Sequence, residues 1–143
     1  MKWVTREHVK VDRVACPWLI RHFIDPQAEF LFVPPDQVLE IARRESATSF
    51  DAQGARYEHR GGKCTFEVLV EDYKLTVLGL AELSRIVHGA DVAGDENVTP
   101  ESAGLKAIAE GFGLAYATDV EVLEKEFPLY DALFAWCKDR VQS

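Results

Sequence analysis

The chain has 143 residues, 48% of them hydrophobic, and a formal net charge of −8. That length is close to the commonest size of one domain, and so much apolar material excludes intrinsic disorder as the main state. No apolar run is long enough to cross a bilayer, the opening MKWVTREHVKVDR lacks the apolar stretch of a signal peptide, and the acidic balance excludes a general affinity for nucleic-acid phosphates. The expectation is a cytoplasmic domain that engages no membrane and, by itself, no nucleic acid. Its three cysteines, Cys16, Cys64 and Cys137, are an odd number with no CxxC pair, which points to reduced thiols rather than a disulfide framework.

In chain order, Lys2 to Val11 alternates apolar and polar residues and reads as an edge strand or extended arm. Asp12 is placed to cap a helix whose apolar face carries Trp18, Leu19, Ile20, Phe23 and Ile24. Pro17 predicts that this helix starts afresh there, and Asp25–Pro26 ends it. Glu29 to Val33 is a short strand closed by Pro34–Pro35. Asp36 then caps a helix over QVLEIARRES. Ser49–Asp51 and Ala55–His59 read as two short strands around a turn at Gly54. Arg60–Lys63 is a loop, and Cys64–Tyr73 a helix. Leu80–His88 has helical spacing and should stop at Gly89. After a polar connection, Pro100–Glu110 is a helix ending at Gly111.

The last segment is periodic. Val120, Leu123, Phe127, Tyr130, Phe134, Cys137 and Val141 form an apolar stripe that should face the core, with a kink at Pro128. The fold class is therefore α+β, a mostly helical single domain over residues 1–143 with a few short strands.

No phosphate-loop, nucleophile-elbow or zinc-finger motif is present. What remains is dispersed: His59, Glu67, His88 and Asp91. Two imidazoles and two carboxylates suit a divalent transition metal such as Fe, Mn or Zn, which accept mixed nitrogen and oxygen ligands. Each residue also has a purely structural reading: Glu67 and His88 complement helix dipoles, Asp91 is a loop acid, and His59 sits beside a Gly-Gly turn. His8 and His22 look peripheral. A basic set accompanies them. Arg13 and Arg21 flank the first helix, with Arg6, Arg60 and Lys63 nearby, and forked guanidinium donors suit a small oxyanion. The alternative for these arginines is ordinary ion pairing.

Three strings carry a resemblance: VDRVACPWLIRHFIDPQAEFLFVP, FDAQGARYEHRGGKCTFE and LAELSRIVHGAD. Together and in this order they resemble the chromate-resistance ChrB family, in its C-terminal domain. The matching positions are Asp12, Arg13, Trp18, Arg21, His59, Cys64, Glu67, His88 and Asp91, while Cys16–Pro17 departs from the small-residue pair of the pattern. The resemblance implies a link to chromate tolerance, often as a metal-responsive regulator. It assigns no ligands.

Two function classes follow. The first is a metal- or oxyanion-binding module of a chromate or metal stress response, with a sensing or regulatory role. The second is a metal-dependent enzyme, hydrolytic or redox, with Glu67 or Asp91 as general base. A role as a homodimer or protein-interaction domain using the C-terminal stripe ranks third.

Overall fold

The computed structural model describes residues 1–142. Its centre is a three-stranded parallel sheet in the order β2-β1-β3, with β1 at Lys2–Arg6, β2 at Glu29–Val33 and β3 at Thr48–Ser49. The opening segment is thus the middle strand, not an edge, and it ends at Arg6. Parallel neighbours require crossovers, which the intervening helices supply. Register pairs Trp3 with Phe30 and Val4 with Leu31, so the two faces of the sheet carry different residues. Trp3, Phe30 and Phe32 join the main core beneath the helices, whereas Val4, Leu31 and Val33 join a smaller core with Val38, Ile41, Ala52 and Ala55.

Helix α1 spans Asp12–Leu19 and contains Pro17 without interruption. Pro17 removes only the N–H that would bond the Arg13 carbonyl, and the helix continues past it into a π turn over Ile20–Ile24. No new helix begins at Pro17. A 3-10 turn at Pro35–Gln37 leads into α2, Val38–Glu45, which covers the smaller core. The second short strand expected over residues 55–59 is reduced to one bridge between Phe50 and Tyr57.

Helix α3 is Thr65–Asp72, α4 is Leu80–Asp91, α5 is Ser102–Ala115 and α6 is Asp119–Gln142. Gly89 does not end α4. It lies where a Cβ would collide with Ser102 and Val98, so glycine is there for close helix packing rather than termination. Helix α5 likewise runs through Gly111. Helix α6 continues through Pro128, and its buried seam is Val122, Leu123, Glu126, Tyr130 and Cys137. Val120 and Val141, at the ends of the expected stripe, are exposed. The fold is α+β and mostly helical, as expected, and no helix among the described residues is long and apolar enough to cross a membrane.

Candidate metal centre

Asp12 lies in the first turn of α1 but does not cap it; that helix has no side-chain cap. Its carboxylate turns instead to the start of α3 and accepts N–H bonds from Thr65 (2.8 Å) and Phe66 (3.1 Å). Those two N–H groups have no partner within their own helix, and the helix N-terminus favours a negative charge. Asp12 is 1% exposed. Beside it, Asp51 adopts a left-handed backbone (φ 49°), a conformation aspartate tolerates better than most residues. Asp51 accepts the Thr65 hydroxyl at 2.8 Å and pairs with Arg6 and Arg13, each at 3.3 Å. Asp91 closes the group from the last residue of α4.

All three carboxylates converge on His59. Its Nε2 is 3.0 Å from Asp91, 3.3 Å from Asp12 and 3.6 Å from Asp51. Arg6 and Arg13 take up Asp51, which leaves Asp12 and Asp91 to share one imidazolium, and the crowding is visible in the protonation equilibria. Burial and then the charge of Asp51 push Asp12 up to about 7. Burial and Asp51 also raise Asp91. The hydrogen bond to Asp12, with the charges of Asp91 and Asp51, outweighs desolvation and raises His59 to about 9. His59 is half-exposed and stands at the rim of a shallow cavity of about 220 Å³ shared with Arg6, Asp51, Gln53 and Glu58. A larger cavity of about 410 Å³ lies elsewhere, between residues 8–10 and helices α5 and α6; His8, Glu110 and Asp119 line it but form no ligand cluster among the described residues.

The other two expected ligands form a separate group. Glu67 Oε1 accepts the Cys64 N–H at 2.9 Å, completing a capping box at the start of α3. The same oxygen lies 2.5 Å from His88 Nδ1, and His88 Nε2 meets Asp95 at 2.6 Å. Burial alone would lower the His88 pKa, but Asp95 and Glu67 reverse the balance and raise it. Burial, followed by the charge of Asp12, pushes the Cys64 thiol up. Among the described residues, ligand atoms converge to within 4.8 Å in two sets: Asp12, His59 and Asp91, and Cys64, Glu67 and His88. The structure therefore divides the four expected residues into His59–Asp91 and Glu67–His88.

The arginines are also divided. Arg13 is mostly buried; its Nε faces Asp51 and its Nη1 donates to the Arg6 and Glu7 carbonyls at 3.2 and 2.9 Å. Arg21 donates to the Ala28 carbonyl and lies over the rings of Phe30 and Phe127, on another part of the surface. Arg60 and Lys63 pair with Asp72 and Glu71 of α3. His22 is held by the Trp18 carbonyl and Asp131, and His8 is exposed. Cys16, Cys64 and Cys137 are free and buried.

Sequence reading missed Asp51 and Asp95 as site residues and gave Asp12 the wrong partner. Asp12 and Cys64 stand within the family strings, but spacing cannot reveal that a first-turn aspartate caps a helix 53 residues away. Asp51 carried one faint signal, a turn-forming acid just ahead of Gly54.

Fold and site together define a small α+β domain with two adjacent clusters of side chains of the types that can ligate a metal, organised around the start of one helix. Residues 3–137 match the family described as ChrB, C-terminal domain, and the chain belongs to that family. It is 39% identical over 138 residues to Protein ChrB of Cupriavidus metallidurans, an alignment covering 93% of this chain and 40% of that protein. The chain thus spans well under half the length of this relative. No solved structure matches it.

Proposed function

We propose that this domain binds a divalent transition metal as a sensing or regulatory module of a cytoplasmic chromate or metal stress response, with Asp12, His59 and Asp91 as ligands and Asp51 supporting them. The observation that carries this reading is the approach of three carboxylates to one histidine nitrogen, two of them nearly fully buried. Such crowding of like charge destabilises the empty site and is relieved by a dication. A mixed oxygen and nitrogen set suits Mn, Fe or Zn. Membership of the ChrB family supports the association with chromate resistance.

An oxyanion at Arg13 is disfavoured by the same geometry. The guanidinium is committed to Asp51 and two carbonyls, and the neighbouring carboxylates would repel a second anion. Arg21 stands apart from Arg13 and cannot complete a fork with it. Calorimetric titration of Mn²⁺, Fe²⁺ and Zn²⁺ into metal-free protein tests the reading, with chromate and sulfate as parallel titrants. Binding of a metal that Asp91→Asn and His59→Ala abolish, and His8→Ala leaves intact, is the expected result. Chromate binding that survives Asp91→Asn but is lost in Arg13→Lys would replace the cation reading with the anion one.

A further inference from the structure

We infer that Cys64, Glu67 and His88 form a second metal site, selective for a thiophilic divalent ion of the zinc type, with Asp95 as the group that orients its histidine. Unlike the carboxylate cluster, this set offers one sulfur, one oxygen and one nitrogen, with the ligand atoms within 4.8 Å of one another. Three protein ligands of these types are the number a zinc centre uses when its fourth position stays open to solvent or to an outside ligand. Soft sulfur with imidazole favours zinc over the harder ions that an all-carboxylate site prefers.

The histidine carries the argument furthest. Ligating histidines commonly give their second ring nitrogen to a carboxylate, which fixes the tautomer and the plane of the ring. His88 has this arrangement: Nε2 meets Asp95 at 2.6 Å and Nδ1 lies 2.5 Å from Glu67 Oε1, so the metal-free ring is held as an imidazolium that donates to both carboxylates. That short contact holds a proton in the metal-free chain, and a metal ion would take the proton's place at Nδ1. Glu67 uses the same Oε1 for the Cys64 N–H, so Oε2 is not committed to either bond. Cys64 is fully buried while Glu67 and His88 are 21% and 14% exposed, so the thiol forms the floor of the site and the other two its rim. Coordination would replace the Cys64 thiol proton and the His88 Nδ1 proton with the ion and release both protons to solvent. The backbone ties the two centres together, because Cys64, Thr65 and Phe66 are consecutive at the start of α3 and the last two hold Asp12.

Cobalt(II) added to the metal-free full chain provides the test, because only a thiolate ligand produces an intense sulfur-to-cobalt charge-transfer absorption in the near ultraviolet. The expected result is one equivalent of cobalt with this absorption, displaced by zinc. Cys64→Ser abolishes it, Asp95→Asn weakens the affinity roughly 10- to 100-fold, and Asp91→Asn leaves it unchanged. Should Cys64→Ser fail to fold, the partly exposed His88→Ala decides the matter by at least a tenfold loss of affinity. Absence of the absorption in the wild type, or its survival in Cys64→Ser or at full affinity in His88→Ala, overturns the site. Cobalt bound without the absorption and lost in Asp91→Asn would overturn this site while leaving the carboxylate centre standing.

Discussion

Glu126 lies on the core-facing seam of α6 with no exposed surface, and neither carboxylate oxygen has a hydrogen-bond partner among the described residues. Burial raises its pKa from the ordinary 4.5 to about 7. The linkage follows directly. Below about pH 4 the group is neutral in both folded and unfolded chains and imposes no charge penalty. As pH rises, the unfolded chain ionises first, so the folded state binds more protons and stability falls until the folded pKa is passed. The gap between the two values corresponds to about 3 kcal/mol, present at low pH and lost by pH 8. Glu126→Gln keeps the shape and removes the titration. Urea unfolding of wild type and variant at pH 5 and pH 8 isolates this group, since other titrations cancel in the difference. Because pH 5 already lies above the unfolded pKa, the expected outcome is a stability gap that moves in favour of the variant by about 2.5 kcal/mol between the two conditions, or roughly 8 °C in melting temperature for a chain this size. A gap that stays constant across this range would refute the reasoning by showing that Glu126 titrates alike in both states.

Four further outcomes are expected. Metal that binds the native clusters should raise the melting temperature by mass action, and His59→Ala should lose that gain while His8→Ala keeps it, as scans with and without chelator would reveal. Gly89→Ala should destabilise by about 1–3 kcal/mol, because its methyl meets Ser102 and Val98 at the α4–α5 contact; denaturant midpoints measure this, and a neutral result would mean the helices separate freely. Arg21→Lys should leave metal affinity unchanged, since its guanidinium lies over Phe30 and Phe127; calorimetry of the variant would expose any hidden role. The chain by itself should not bind duplex DNA with submicromolar affinity, because a net charge of −8 offers no basic footprint; fluorescence anisotropy at near-physiological salt checks this.

Local chemistry made much of the fold legible in the sequence. Apolar spacing marked α4 and α6, length rather than spacing favoured a helix at α3, prolines bounded β2, and the succession of these elements specified a mostly helical α+β chain, because such signals act over a few residues. Functional groups alone, two imidazoles and two carboxylates, singled out His59, Glu67, His88 and Asp91 as candidate metal ligands. Tertiary packing decided the rest. β1 became central because Val4 and Trp3 each found a core on opposite faces, which no local pattern announces. α4 ran past Gly89 because α5 needed a close approach there. The four candidate residues were parted because the first turn of α3 draws Asp12, with His59 and Asp91 around it, to Thr65 and Phe66, and Glu67, with His88, to Cys64 in its own turn. Unpaired N–H groups at a helix start must be satisfied, but sequence distance does not say by which carboxylate.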